Sequence, residues 1–363
     1  MVVPEELKST IPPPQLNATS WILRDQKSGW TIASDNAELR IEPASLSKLM
    51  TAFIVFEEMH NGNLLETDLV RISEKAWKTE GSRMFVKVNS KVSVEDLIKG
   101  LIVQSGNDAA VALAEHIAGS EEGFAELMNQ SAKKLGLNGS QFRNSTGLPH
   151  EEHFSTARDL TELTRVLIDR FPEKYQLYSI KSFTYNKINQ PNRNLLLWRD
   201  DAVDGVKTGH TKSAGYCLVG SAEKQGMRLI ATVMGTDSKN YRAEAVHKLL
   251  NYGFAAYEGF LLYQKDQKVA SADVYKGDVS SVDAHLRNPL YVTVAKGRAK
   301  QMGASVELST PLVAPIDENQ TIGRLSLKFE GNEIGEYPLV PSKAVLAGGW
   351  FTNMFDSVRL LVQ

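Results

Sequence analysis

The sequence predicts an α/β (α+β) protein in two parts, a larger domain of sheet and helices and then a small C-terminal all-β domain, with an amphipathic helix at the end. Three observations carry this. Short strand runs bracket a mostly helical middle. After about residue 258 the chain holds only strand and turn signals. Finally, Trp350, Phe351, Met354, Phe355, Val358, Leu361 and Val362 recur on one helical face, which reads either as a terminal helix docked on its own protein or as an interfacial membrane anchor. The expected boundaries are 1–258, 259–346 and 347–363.

Residues 11–14 (Ile-Pro-Pro-Pro) read as an extended lead-in. Trp21–Asp25 and Trp30–Ala33 flank Gln26-Lys27-Ser28-Gly29, a hairpin signal. A helix apolar on most sides, hence buried, follows from Ser45. A second helical region starts near Ser93, a predicted N-cap with Glu95 and Asp96 in its first turn. It breaks at Ser105-Gly106-Asn107 and resumes through Ala109–Ile117, with further helices at Glu122–Leu135 and Ala157–Arg170. Val206–Thr208, Gly215–Val219 and Arg228–Val233 read as consecutive strands, closed by a helix over Tyr241–Phe254. One sheet therefore uses both ends of this segment. Leu290–Val294, Ser305–Leu308, Leu325–Phe329 and Ile334–Tyr337 are the strands expected of the β domain.

The 363 residues carry 41 basic and 43 acidic side chains, a net charge of −2, which argues against a nucleic-acid binder. No apolar run reaches the ~18 residues of a membrane-spanning helix. Cys217 is the single cysteine, so no intrachain disulfide forms. The start, Met1 to Glu6, lacks the basic and apolar stretches of a signal peptide. The seven histidines show no metal-site spacing, and neither a phosphate loop nor a Gly-x-Ser-x-Gly elbow is present. No metal or cofactor is expected.

Three short motifs stand in order: Ser45-Leu46-Ser47-Lys48, Ser105-Gly106-Asn107 and Lys207-Thr208-Gly209. At i and i+3 on a helix, Ser45 and Lys48 lie within reach of each other. A serine needs a neighbouring base, and a lysine serves once burial or another cation lowers its pKa. The hydroxyl and amide of Ser105 and Asn107 can pass a proton and fix a substrate amide. On a strand edge, Lys207 can hold a carboxylate or depress the pKa of Lys48 electrostatically, the Thr208 hydroxyl can hydrogen-bond a carboxylate, and Gly209 lets a substrate backbone approach. Each motif has decoys. Ser131–Lys134 reads as a solvated helix face, Ser221–Lys224 as inert extended chain, Lys27–Gly29 as a turn, and Ser34–Asn36 and Ser238–Asn240 repeat Ser-x-Asn. Cys217 reads as a small buried side chain.

The ordered set resembles the signature of penicillin-recognising serine enzymes. The flanks, Glu42 to Thr51, Gln104 to Ala109 and Asp204 to Thr211, closely resemble low-molecular-mass penicillin-binding proteins, in particular the D-alanyl-D-alanine carboxypeptidase group typified by penicillin-binding protein 5. The resemblance covers nearly the whole chain. It implies a β-lactamase-like transpeptidase domain, an antiparallel sheet flanked by helices. It implies Ser45 as acylated nucleophile, Lys48 as general base, and Ser105 and Lys207 as proton relays. It assigns the substrate amide to Asn107, close backbone approach to Gly209, the oxyanion hole to the N–H groups of Ser45 and His210, and the terminal carboxylate to Thr208, Arg193 and Arg242. The implied partners are peptidoglycan stem peptides ending in D-Ala-D-Ala, β-lactam antibiotics and, through the tail, a membrane surface; nucleic acid is not one. The implied location is the periplasmic face of the bacterial cytoplasmic membrane, after export on a signal peptide absent from this chain. Two features depart from the family. Thr146 stands before Gly147-Leu148 where a histidine is common, and Lys75–Met84 is shorter than the loop expected there.

A serine β-lactamase of the same superfamily is the first alternative; it is disfavoured by the missing Glu-x-x-Leu-Asn segment, the β domain and the tail. DD-endopeptidase activity is a second. A non-catalytic peptidoglycan-binding or shape-maintaining protein is a third, and the presence of both nucleophile and base argues against it.

Overall fold

The computed structural model describes residues 2–350 and Asp356. Residues 351–355 and 357–363, which hold most of the expected tail helix, lie outside the described residues. The chain divides into two compact units. Residues 12–255 with Val2 form the first; residues 3–11 and those from 256 onward form the second. The expectation had placed residues 3–11 in the first domain. They belong to the second, where Leu7 is fully buried. One apolar side chain in a Pro-rich lead-in carries no periodic signal of its destination.

In the first unit the elements are β1 (Ser20–Asp25), β2 (Thr31–Asp35), α1 (Lys48–His60), β3 (Leu69–Arg71), α2 (Glu74–Lys78), β4 (Lys91–Ser93), α3 (Val94–Lys99), α4 (Asn107–Ala118), α5 (Glu121–Lys134), α6 (Ala157–Arg170), α7 (Pro172–Tyr175), β5 (Ser182–Tyr185), β6 (Ile188–Pro191), β7 (Val203–Thr211), β8 (Gly215–Lys224), β9 (Met227–Thr236) and α8 (Lys239–Ala256). The main sheet runs β2-β1-β9-β8-β7 and is antiparallel throughout. The N-terminal hairpin thus docks on the last strand of the C-terminal meander, and both ends of the segment share one sheet.

Alternation along β9 sends neighbours to opposite faces. Leu229 faces α8, where a Cβ on Gly253 would lie 2.4 Å from its Cδ1. Thr232 faces α6 and shares a 2.6 Å hydrogen bond with Thr161. Helices therefore cover both faces. Among them α1 is buried on every side from Lys48 to Phe56, as its all-round apolar sequence predicts. It packs among α4, α5 and α6. Ser93 caps α3, its Oγ accepting from Asp96 N at 3.1 Å, and Ser120 and Thr156 cap α5 and α6 likewise.

The second unit is all β: β10 (Tyr257–Tyr263), β11 (Lys268–Tyr275), β12 (Ser281–Leu286), β13 (Leu290–Ala295), β14 (Met302–Leu308), β15 (Leu312–Val313), β16 (Gly323–Phe329) and β17 (Asn332–Pro341). β10 pairs with β13; the remaining strands form a sheet ordered β14-β16-β17-β12-β11-β15, antiparallel except between β11 and β15. Leu325, Leu327, Leu339 and Ala284 are fully buried in it. The sequence did not predict β10, β11, β12 and β15. β11 passes through Ala270-Ser271-Ala272, residues of modest strand preference.

Candidate active site

Ser45 lies on a 3₁₀ turn, Ala44–Ser47, and not inside the following α-helix as the sequence suggests. Ala44 has φ +49°, a conformation an α-helix does not use, so α1 begins only at Lys48. From Pro43 to Phe56 every residue but Ser45 is buried. The turn thus lifts one hydroxyl out of an otherwise enclosed segment.

Lys48 is 1% exposed. Its Nζ reaches Ser45 Oγ at 3.0 Å, Asn107 Oδ1 at 2.7 Å and the Thr146 carbonyl at 2.6 Å. Burial first, then the charge of Arg193, pushes its pKa down to about 7, while Asp108 and Glu121 pull it up. The amide orientation of Asn107 is fixed on both sides, because its Nδ2 donates to the Glu80 carbonyl at 2.5 Å.

Asn107 opens α4. Before it, a π-helical turn, Gly100–Gln104, ends at Ser105, which adopts the left-handed conformation at φ +64°. This break, expected from the sequence, aims the buried Ser105 side chain at β7. There Lys207 Nζ donates to Ser105 Oγ at 2.8 Å and to the Thr208 carbonyl at 3.1 Å. Lys207 is 3% exposed. Burial, then the charges of Lys48, Arg193 and Arg242, hold its pKa well below the usual lysine range.

The β7 edge lies close against the Ser45 turn. A Cβ on Gly209 would sit 2.9 Å from the Pro43 carbonyl. Arg242 of α8 donates to the Gly209 carbonyl at 2.8 Å and lies over the Tyr216 ring. Burial foremost lowers its pKa to about 10. Tyr216 also stacks on the exposed His210, with centroids 4.0 Å apart. Thr208 is buried beside them. Arg193, on the loop between β6 and β7, is exposed, yet its field is felt at Lys48, Lys207 and Arg242.

Several residues the motifs did not reveal hold these groups in place. Asp108 accepts from the N–H groups of Met84, Phe85 and Val86 at 2.9, 2.9 and 3.2 Å. It pins the chain between α2 and β4. Buried Glu121 accepts from Ser145 N and Oγ at 3.1 and 2.8 Å and pairs with Lys75 at 3.1 Å. Thr51 donates to the Ser145 carbonyl at 2.7 Å. The Thr146 side chain is spent locally, donating to Asn144 Oδ1 at 2.9 Å, so its carbonyl and not its hydroxyl meets Lys48.

The decoys lie elsewhere. Ser221 is on β8 and accepts from Arg228 at 2.9 Å, and Lys27–Gly29 forms the β1–β2 turn. Ser131 corrects the expectation of a solvated face: it is buried on α5, although Lys134 is exposed. Cys217 is fully buried, and its thiol pKa is raised to about 11 by burial. Among the described residues, no group of three His, Cys, Asp or Glu side chains is placed to hold a metal ion.

A hydroxyl raised on a rigid turn, bonded to a buried amine that loses its proton near neutrality, marks an active-serine enzyme on an α+β scaffold. The family model described as D-alanyl-D-alanine carboxypeptidase matches residues 7–238, and that of the penicillin-binding protein 5 C-terminal domain matches residues 257–346. The chain is 40% identical over 361 residues to the D-alanyl-D-alanine carboxypeptidase DacC of Escherichia coli, covering 97% of this chain and 90% of the relative. Penicillin-binding protein 5 from Haemophilus influenzae superposes with a TM-score of 0.89 at 40% identity, over 93% of this chain and 99% of that one. Penicillin-binding protein D2 from Listeria monocytogenes, in an ampicillin-bound form, gives a TM-score of 0.62 at 32% identity, over 67% of this chain and 100% of that one. This chain belongs to the D-alanyl-D-alanine carboxypeptidase family.

Proposed function

We propose that this protein is a serine-type carboxypeptidase that removes the terminal D-alanine from peptidoglycan stem peptides through an acyl-Ser45 intermediate. The observation that carries the reading is the hydrogen-bond set of Lys48. A neutral lysine amine has two N–H donors and one lone pair. Asn107 Oδ1 and the Thr146 carbonyl accept and cannot donate, so they take the two N–H groups. The lone pair is left for the Ser45 hydroxyl at 3.0 Å. A pKa of about 7 makes that neutral form available at physiological pH.

The steps follow. The substrate carboxylate enters the field of Lys207, Arg193 and Arg242 and hydrogen-bonds Thr208. Lys48 takes the Ser45 proton as Oγ attacks the carbonyl carbon of the penultimate D-alanine. The developing oxyanion is held by the N–H groups of Ser45 and His210. The C–N bond breaks as the amine of the departing D-alanine takes up the proton that Lys48 accepted, relayed through Ser105 and Lys207, which leaves Lys48 neutral again. Water then attacks the ester and gives a proton to Lys48, which passes it to Ser45 Oγ as the acyl C–O bond breaks, and Ser45 is restored. A β-lactam follows the same first half; its amine stays tethered after ring opening, so the protein is inhibited as a slowly hydrolysed ester. The reading places the protein on the periplasmic side of the bacterial cytoplasmic membrane, held there by the amphipathic 347–363 segment. Vesicles of anionic phospholipid should pellet the chain that carries this segment and leave a chain ending at residue 346 in solution.

Mass spectrometry of a pentapeptide substrate tests the activity. Loss of one alanine is expected, with labelled penicillin recovered on the Ser45 peptide, and Ser45→Ala should abolish both. D-Alanine release by Ser45→Ala would remove Ser45 as nucleophile. Fast penicillin hydrolysis without alanine loss would instead select a β-lactamase.

A further inference from the structure

We propose that His153 is a positioning residue for acyl transfer: through Ser47 it locks the Ala44–Ser45 peptide plane and so aims the Ser45 N–H at the acyl carbonyl oxygen. The inference rests on the proposed role of Ser45. His153 and Ser47 belong to none of the three motifs' chemistry, and both are buried, at 2% and 0% exposure.

The geometry defines one continuous chain of donors. The Arg143 N–H donates to His153 Nδ1 at 3.3 Å, so that nitrogen carries no proton. The proton of the neutral ring therefore sits on Nε2, which lies 2.8 Å from Ser47 Oγ and donates to it. Ser47 Oγ in turn donates to the Ala44 carbonyl at 2.9 Å. Each bond polarises the next in the same direction. Burial, then His150 and Lys48, lower the ring's pKa to about 4, in keeping with this neutral form.

The last acceptor matters because a peptide unit is planar and trans. The Ala44 carbonyl and the Ser45 N–H are opposite edges of one plane, so anchoring the oxygen fixes where the N–H points. The plane needs anchoring, since Ala44 holds a positive φ without being glycine. The opposite wall is tight: a Cβ on Gly147 would lie 1.8 Å from the Ala44 oxygen. Phe142 packs edge-on against the His153 ring at 5.6 Å and keeps it in register with Ser47.

The test uses His153→Phe, which keeps a ring and loses both polar contacts, and His153→Gln, whose amide both donates and accepts. Penicillin acylation of Ser45 is timed, and the acyl-ester carbonyl stretch is read by isotope-edited infrared spectroscopy. A well-aimed oxyanion-hole donor weakens that carbonyl. His153→Phe should acylate about tenfold more slowly, a fraction of the loss seen when a hole donor is deleted outright, and should shift the band to higher wavenumber. His153→Gln should recover both. Ser47→Ala, a minimal change, should shift the band in the same direction and serves if the Phe variant does not fold. An unmoved band in folded Ser47→Ala or His153→Phe overturns the proposal, even if acylation slows, because packing alone then explains the loss. If penicillin labels a residue other than Ser45 in the unaltered protein, the underlying assignment of Ser45 fails instead.

Discussion

Two buried lysines divide the site between them, one beside the Ser45 turn and one on the β7 edge. Both are nearly inaccessible, and burial lowers the pKa of both. Their surroundings differ in sign. Lys48 feels Asp108 and Glu121 as well as Arg193, and the opposing fields leave it at about 7. Lys207 feels Lys48, Arg193 and Arg242, with no carboxylate among the causes of its shift, and its pKa falls well below the usual range. The balance of carboxylates and cations at Lys48 suits the base proposed for it, and the cationic field at Lys207 suits the proposed carboxylate site.

The largest effect should come from the nucleophile side. Lys48→Ala removes the amine bonded to Ser45 Oγ and should slow penicillin acylation by about a thousandfold, the middle of the range for a general base. In the unaltered protein the acylation rate should fall about tenfold per pH unit below about 7, since only neutral Lys48 accepts the proton. A rate independent of pH from 5 to 9 would break the comparison, because the two lysines would then no longer differ in role.

The carboxylate side should give a smaller effect that depends on the substrate. Arg242→Met removes a cation at the Gly209 carbonyl and should lower kcat/KM for a peptide acid by about 10- to 100-fold, the worth of one charged hydrogen bond. A peptide ending in an amide should be nearly indifferent to the change. Equal losses on both substrates would mean that Arg242 shapes the β7 edge and does not read charge.

Proton uptake sharpens the contrast further. Burial and neighbouring cations lower the pKa of Lys207, and an arriving carboxylate opposes that shift and favours the protonated amine. Titration of Ser45→Ala with a D-Ala-D-Ala peptide, in buffers of different ionisation enthalpy, should show net uptake. Zero uptake would show that Lys207 already carries its proton in the free site.

The sequence made the motif residues legible because their chemistry depends on local spacing. Ser45 and Lys48 are one turn apart, and Ser105 and Asn107 share one loop. Lys207, Thr208 and Gly209 share one strand. The flanking residues carried the family resemblance, and with it the fold of both units. What the sequence concealed acts across long separations. Asp108, in the first turn of α4, binds three N–H groups more than twenty residues earlier. Glu121, in the first turn of α5, bonds Ser145, and His153 has its partner in Ser47. No periodicity encodes such pairs; only the fold brings them together. The 3₁₀ entry to α1 was hidden for a related reason. It includes the positive φ of Ala44, whose carbonyl accepts from Ser47 Oγ and lies against Gly147, far along the chain.

The smallest effect tests the balance itself. Glu121 raises the pKa of Lys48 through its charge, while it also accepts from Ser145 and pairs with Lys75. Glu121→Gln keeps an oxygen acceptor for Ser145 and removes the charge. With one opposing field gone, Lys48 should lose its proton more easily. The acid limb of the acylation profile should then move below about 7 by a fraction of a pH unit, with the plateau rate at high pH nearly unchanged. The sign is the diagnostic. A limb that moves up, or a plateau that collapses with the limb unmoved, would mean that Glu121 matters through the Ser145–Thr146 loop and not through its field. A downward shift would show that the base is tuned by carboxylates the β7 lysine lacks.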